Sequence, residues 1–396
     1  MAIVLAALLI DTIGFGIVLP VLPDLIVNLG HVTMAEATRI AGYMLVAYAV
    51  AQFFAGPVIG NLGDRFGRRP VLLFSMIAFA IDYAFMAVAP SLIWLFIGRL
   101  IAGAAGALYG PANAVLADIT PPEKRAATFG LMGAAFGLGF ILGPAIGGLL
   151  AMLGPRAPFI AAAAIAAANA LWMFFLLPET LPPERRRPFR LRDAHVFGAF
   201  KPLFQAGGGA AWLILTALIW QLGHMVYPAT WAFWAELDRH WTAGQIGWSL
   251  AASGLAMAVA QVFITGPFIA RWGETRALTV GMSVAACVFL GYVFVTQDWM
   301  IYALIAAGAL QGLVYPSINA LLSKLTDPSR QGALMGGMSS IGSVAAIAGP
   351  LVMTQALAFG AERGEPGGAF LLASGLAFLA LLITLFLVVP RLRSKP

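Results

Sequence analysis

The chain has 396 residues, of which 61% are apolar and only 10% are Asp, Glu, Lys or Arg. A soluble domain runs nearer about 45–50% apolar and about 25% charged. The composition therefore excludes a soluble globular protein, a disordered chain and, with Cys287 as the one cysteine, a disulfide scaffold. A net charge of +6 would suit a nucleic acid, but the basic residues fall in loops on one side of a membrane, so a lipid bilayer is the expected partner and nucleic acid is not.

About 20 apolar residues at about 1.5 Å rise each cross a bilayer core. Twelve such runs follow one another: 2–23, 38–60, 70–89, 92–118, 125–151, 157–177, 209–235, 244–270, 276–296, 299–324, 330–356 and 368–389. The expectation is an all-α integral membrane protein of twelve transmembrane helices. The first run starts beside Met1 and continues past Asp11 to Pro23 without a basic leader, which argues against a cleavable signal and for a natural N-terminus that begins earlier. Asp11 lies about 15 Å into that run, near the midplane. A charge there costs at least about 2.5–3.5 kcal/mol, so it marks function by default. Burial disfavours the carboxylate form, which suits exchange of a proton against a substrate. The plainer reading is a structural hydrogen bond.

The second and third spans are joined by Gly60-Asn-Leu-Gly-Asp-Arg-Phe-Gly-Arg-Arg69. Gly60, Gly63 and Gly67 permit a tight turn. Asp64 can face the N-terminus of a helix in the other half and pair with Arg65 or Arg125, with Asp118 joining, as a conformational latch; Arg68 and Arg69 read more simply as topology signals. Asp82 and Arg99 flank the turn at Pro90 at similar depth and can meet as an ion pair, either a staple or a coupling site. In the fifth span Gly139, Gly143 and Gly147 recur every fourth residue, with Pro144 and Gly148 beside them, so two helices can touch backbone to backbone around a bend.

The loop 178–208 is rich in proline and arginine, with Arg190, Arg192, Lys201 and Pro202 among its residues. It reads as a connector between an N-terminal bundle, 1–177, and a C-terminal bundle, 209–396. The halves repeat: Gly56-Pro57 and Gly63-Asp64 match Gly266-Pro267 and Gly273-Glu274, and Gly143-Pro144 matches Gly349-Pro350. Two six-helix bundles related in this way imply a site between them and alternating access. Eighteen of the 23 basic residues, Arg330 and Lys395 among them, fall on the side holding both termini; Arg39, Arg156, Arg239 and Arg363 fall on the other. Both termini are then cytoplasmic.

The seventh span carries Gln221, His224 and Tyr227 on one face, with Trp231 a turn further and Trp234 beyond it. Aromatic and polar groups together suit a large planar or cationic compound; the tryptophans suit an interfacial belt equally well. His224 can assist proton exchange. Asn113, Gln261, Gln311, Tyr315 and Asn319 are further polar residues in spans and candidate substrate contacts. Phe136 and Phe140 join that set, with packing as their plainer reading. There is no phosphate loop and no zinc-type cluster in the sequence, so neither ATP drive, a bound metal nor an enzyme is expected.

The loop 60–69 resembles the signature of the major facilitator superfamily, and Gly139–Gly148 resembles the glycine-proline motif of its antiporter branch. Asp11-Thr-Ile-Gly-Phe-Gly16 resembles the opening of drug/proton antiporters, and Ile81-Asp-Tyr83, Phe136-Gly-Leu-Gly139, Pro228-Ala-Thr-Trp231, Arg271-Trp-Gly-Glu274 and Gln331-Gly-Ala-Leu334 are most similar to tetracycline/proton antiporters. The resemblance implies the major facilitator fold, a bacterial cytoplasmic (inner) membrane location, a functional monomer and proton-coupled export of tetracycline-like or other amphipathic drugs. It also implies a transport role for Asp82. No cofactor is expected beyond the coupling proton, with magnesium entering only as a substrate chelate. One departure stands out: the ninth span reads Val284-Ala-Ala-Cys287 where that family has an aspartate. Proton-driven import of a small metabolite, and a non-transporting receptor or scaffold of the same fold, are the competing readings.

Overall fold

The structure, a computed structural model, describes residues 1–105, 109–121, 124–189, 203, 208–326 and 331–393. Of the expected connector, residues 190–202 and 204–207, with Arg190, Arg192, Lys201 and Pro202, lie outside the described residues, as do Arg330 and Lys395. The described residues form helices joined by turns and short connectors, without strands, and twelve helices are long and apolar enough to cross a membrane. They are α1 (Ala2–Gly30), α2 (Met34–Phe66), α3 (Arg68–Val88), α4 (Leu92–Ile119), α5 (Arg125–Ala151), α6 (Ala157–Leu176), α7 (Gly208–Arg239), α8 (Ala243–Trp272), α9 (Glu274–Val293), α10 (Asp298–Leu325), α11 (Gln331–Ala361) and α12 (Gly368–Leu392). Large apolar side chains such as Val88, Phe175, Phe263 and Phe386 are exposed. Such surface is stable only where lipid covers it.

Several helices outrun the expected spans. The first does not stop at Pro23: the chain tightens into a single turn over Leu19–Val21, where Pro20 falls at the start of that turn, and then continues to Gly30. Pro20 has no N–H to give to the helical ladder, which fits the local tightening of the backbone at this point. His31 ends the helix in the left-handed region, φ 49°. The second helix runs unbroken through Pro57 to Phe66. The expected loop 60–69 is therefore mostly helix, and Gly67 alone makes the turn, at φ 106°. Gly273 makes the corresponding turn between α8 and α9, at φ 80°, and both glycines have ψ 162°. Gly67 and Gly273 are thus equivalent at the spacing shared by Gly143 and Gly349. The sequence match of Gly63-Asp64 to Gly273-Glu274 is displaced from this equivalence by one helical turn.

The described residues form two compact units. The first comprises Met1–Thr33, Met44–Val196 and Trp241–Gly254; the second comprises Met34–Tyr43, Phe197–His240 and Leu255–Pro396. They depart from the two sequence halves at the first turns of α2 and the first half of α8. In the first unit α1 lies along α5 and α6, and α3 packs on α6 and α4. In the second, α9 and α7 pack on α12. The glycines of α5 explain the closest of these contacts. A methyl on Gly139 would stand 2.6 Å from Thr12 Cβ, and one on Gly143 would stand 2.7 Å from Gly16 Cα. One on Gly147 would collide with the Ile17 carbonyl. Gly148 faces Ala243 and Gly244 at the start of α8.

In the second unit the helices are interrupted at mid-span. A π-turn over Ala260–Thr265 interrupts α8, and a 3-10 turn over Ala309–Leu313 interrupts α10; the two turns touch. Irregular backbone at membrane depth needs replacement partners. Thr265 Oγ1 supplies one by donating to the Ala260 carbonyl at 3.1 Å.

Candidate functional site

Three groups of polar residues stand out in the first unit. Asp11 is buried on α1, and among the described residues no side chain donates to it or pairs with it. Its surroundings are fixed closely. Thr12 donates to the Leu8 carbonyl at 2.8 Å and lies against Gly139. Asn169 on α6 donates through Nδ2 to the Ala7 carbonyl at 2.9 Å. Ala7 is the residue whose carbonyl the Asp11 N–H meets in a regular helix, so Asn169 fixes the turn that carries the carboxyl. The sequence offers Asn169 as a polar residue amid alanines, a signal that was there to be read.

The second group is Asp82 and Arg99. Arg99 Nη2 on α4 donates to Asp82 Oδ2 on α3. The aspartate is fully buried and its Oδ1 accepts no hydrogen bond. Arg99 also lies 3.2 Å from Met86 Sδ and 5.9 Å from the Tyr48 ring. Gly98 makes room: a methyl there would stand 2.8 Å from Asp82 Oδ1.

The third group surrounds the Gly67 turn and corrects an expectation. Asp64 pairs with Arg68 at 2.6 Å, not with Arg65 or Arg125. The reason is register: helix continues through Phe66, so Asp64 and Arg68 are one turn apart across the bend. Arg68 Nε also lies 3.5 Å from Asp118 Oδ2, a charge contact without hydrogen-bond geometry. Arg65 lies over the Phe66 ring. Arg125 instead donates to the Thr120 and Ala117 carbonyls at 3.3 and 3.1 Å. Gly60 has open space around it and lies inside helix. Glu179, which sequence reasoning missed, accepts from the backbone N–H groups of Arg68 and Arg69 at 2.8 and 3.3 Å and of Thr180 and Leu181 at 2.9 Å. It caps α3, where an anion meets the positive end of the helix, and its carboxylate fills the space a Cβ on Gly67 would need. Thr180 reaches Asp118 at 3.4 Å.

The second unit holds a different chemistry. His224, Tyr227 and Trp231 line up along α7, the first pair T-shaped and the second tilted, with successive ring centroids 5.3 and 6.0 Å apart. Trp231 and Trp234 are buried against Tyr292 and Phe370. They are therefore core residues and not an interfacial belt. Gln311, on the 3-10 turn, donates to Tyr227 Oη at 3.1 Å, while its Oε1 is buried and unpartnered. Gln261 opens the facing π-turn, with its Oε1 3.6 Å from where a methyl on Gly312 would sit. Gln221 stands in the same way 3.2 Å from Gly342. Asn319 keeps a buried, unpartnered Oδ1, and Tyr315 is exposed. In the first unit Asn113 and Phe136 are exposed, and Phe136 stacks on Phe140 at 6.2 Å.

Comparison with known proteins gives these features a setting. The sequence description of the Major Facilitator Superfamily matches residues 4–237 and 213–396. The chain is 39% identical over 384 residues to "Tetracycline resistance protein, class C" of Escherichia coli, covering 96% of this chain and 94% of that one. It is 31% identical to the class B protein of the same organism, covering 88% and 86%. It is 29% identical to "Multidrug resistance protein 1" of Bacillus subtilis (strain 168), covering 89% and 88%. Among solved structures it is similar to the human organic anion transporter MFSD10 (TETRAN), with a TM-score of 0.71, 25% identity and coverage of 97% and 98%. The nucleoside transporter NupG shares the fold, with a TM-score of 0.79 at 14% identity and the same coverage.

Proposed function

This chain belongs to the Major Facilitator Superfamily, and from that premise we propose that it is a proton-coupled drug antiporter working by alternating access. As an integral membrane transporter of small molecules it is not an enzyme. Its relatives carry tetracycline-resistance and multidrug-resistance names, which supports export of tetracycline-like or other amphipathic compounds. We place it in a bacterial inner membrane as a monomer with both termini cytoplasmic, consistent with the distribution of basic residues.

The single observation that carries proton coupling is Asp11. It is a buried mid-span carboxyl, held on a helix that α5 grips through Gly139, Gly143 and Gly147, and no described residue neutralises it. A carboxyl so placed is cheap when protonated and costly when charged. Binding and release of its proton therefore carries enough free energy to bias one conformation over another. Asp82 is a weaker coupling candidate, because Arg99 already holds it. His224, between the Trp220 and Tyr227 rings, is a second candidate.

Everted vesicles with an imposed pH gradient test this reading. Wild-type protein should concentrate drug against its gradient and discharge part of the pH gradient when drug is added. Asp11→Asn should abolish uphill transport and leave passive drug exchange, because the amide mimics the protonated acid. Full uphill transport by that variant would remove Asp11 from the coupling. Uptake driven in the opposite sense would favour the symporter reading, and substrate-independent pH traces would favour a receptor.

A further inference from the structure

We infer that the turn between α8 and α9 is a binding site for an anionic phospholipid headgroup, built from Arg271, Trp272 and Arg276. Trp272 is the last residue of α8 and is exposed; Arg271 precedes it and Arg276 lies in the first turn of α9. The two guanidinium groups flank one indole ring, 5.4 and 5.6 Å from its centroid. Two like charges drawn to one ring repel each other, and an anion reached by both offsets that repulsion.

Two other arginine–aromatic pairs at helix ends already have partners, whereas Arg65 over Phe66, at the equivalent first-unit turn, brings one guanidinium to its ring and not two. Arg69 lies over Phe174 but donates to the Phe174 carbonyl, and Arg391 lies over Trp212 but donates to the Leu387 carbonyl. The Arg271 and Arg276 guanidinium groups make neither a hydrogen bond nor an ion pair with any described residue; only the Arg276 carbonyl accepts, from Thr279 Oγ1 at 2.9 Å. The acid between them, Glu274, is taken by Lys324 at 2.7 Å. The equivalent Gly67 turn in the first unit shows what such a turn takes: there Glu179 supplies the anion. At the Gly273 turn no described residue from another helix supplies such an anion, and the one local carboxylate, Glu274, is shared between its own backbone N–H and Lys324. Guanidinium groups match phosphate oxygens by paired hydrogen bonds, and tryptophan favours the headgroup depth of a bilayer.

The site commits to a lipid rather than a free anion because of what lies along the same helix. Leu255, Val259, Val262 and Phe263 leave α8 with an exposed apolar flank leading to Trp272, a surface for acyl chains. Arg271 and Arg276 also belong to the side of the molecule expected to face the cytoplasmic leaflet, where anionic lipid attracts basic residues. A phospholipid whose phosphate charge is uncompensated, of the phosphatidylglycerol kind, satisfies both ends of the site. The inference does not depend on which compound is transported.

The test measures phosphatidylglycerol binding to the purified full-length protein in detergent, by native mass spectrometry and by thermal stabilisation. Phosphatidylcholine and inorganic phosphate are the comparison probes. Arg271→Gln with Arg276→Gln should weaken phosphatidylglycerol binding about thirtyfold, the scale expected for two basic contacts at a membrane surface. Arg185→Gln with Arg187→Gln removes the same charge elsewhere and should leave binding within about twofold of wild type. Trp272→Ala should weaken binding and leave phosphatidylcholine retention unchanged. Equal phosphatidylglycerol binding by the Arg271/Arg276 variant and the wild type would overturn the proposal. So would stabilisation by inorganic phosphate as strong as that by the lipid, because the site would then be a simple anion site.

Discussion

Arg99 on α4 is bonded to Asp82 on α3, with the aspartate wholly buried and Gly98 leaving the space its second oxygen occupies. Removing one member of a buried pair typically costs about 3–5 kcal/mol, because the other charge is left uncompensated. Asp82→Asn and Arg99→Gln should therefore each lower the melting temperature and the yield of folded protein. The double substitution should be more stable than the sum of the single losses predicts, by about 1–3 kcal/mol. Thermal melts of the four proteins in one detergent measure the coupling; simple additivity would show that the two side chains act independently.

The α1–α5 contact makes a sharper demand on side-chain size. Gly143→Ala places a methyl 2.7 Å from Gly16 Cα, and Gly147→Ala drives one into the Ile17 carbonyl. Overpacking of this kind costs typically about 1–3 kcal/mol. Gly137→Ala, on the same helix with nothing within 4 Å of its Cβ, should be neutral or slightly stabilising. If all three substitutions shift the melting temperature alike, helix propensity and not backbone contact governs α5.

The number and positions of the helices were legible because membrane spans leave a long, simple signal: about twenty apolar residues in a row. The Asp82–Arg99 pairing was legible for a related reason, since equal distances from one turn place two residues at equal depth. What escaped the sequence was local geometry. Whether helix continues from Gly60 to Phe66 depends on backbone bonds that no residue type in Gly60–Arg69 dictates, and that continuation gives Asp64 to Arg68. Glu179 lies 111 residues from Arg68, and only the folded chain brings the end of α6 to the start of α3. Trp231 and Trp234 carry the same residue type whether they face lipid headgroups or Phe370, so their sequence positions left both readings open.

On the face expected to be outer, Arg39 at the start of α2 pairs with Glu362 beyond α11 at 2.5 Å. The hydrogen bond from Arg39 is the main influence holding the Glu362 carboxyl below its ordinary pKa. A depressed carboxylate pKa stabilises the fold at pH values above the group's unfolded pKa, and that stabilisation disappears as the pH falls through the lowered folded value. The pair should thus be intact at neutral pH and lost only in acid. Glu362→Gln should lower the melting temperature slightly at neutral pH, since exposed pairs contribute little. It should also flatten the acid limb of the stability profile relative to wild type. An unchanged acid limb would show that the pair does not form in solution.

The substrate range follows from where the charges are. The mid-span acids are Asp11 and Asp82, both in the first unit, and Asp82 is occupied by Arg99. The second unit offers amides, a phenol and an imidazole in Gln221, Gln261, Gln311, Tyr227 and His224. In the stretch Val284–Cys287, where the resemblance to tetracycline exporters leads one to expect an acid, Ala285 is fully buried and the Ala286 carbonyl accepts from Ser374 at 2.8 Å. A hard divalent cation seeks oxygen ligands, carboxylates above all. Recognition of a magnesium chelate should therefore be weak, while amides beside aromatic rings suit lipophilic cations and uncharged planar drugs. We expect resistance to such compounds in an efflux-deficient host, with a smaller effect on tetracycline. In vesicles, tetracycline export should change less than about twofold when magnesium is removed. Gln311→Leu, which removes both the bond to Tyr227 and the unpartnered oxygen, should shift the ranking of drugs while leaving protein levels unchanged. Strong, magnesium-dependent tetracycline export without any effect on the cations would overturn this prediction and assign the chain the narrower specificity of its relatives' names.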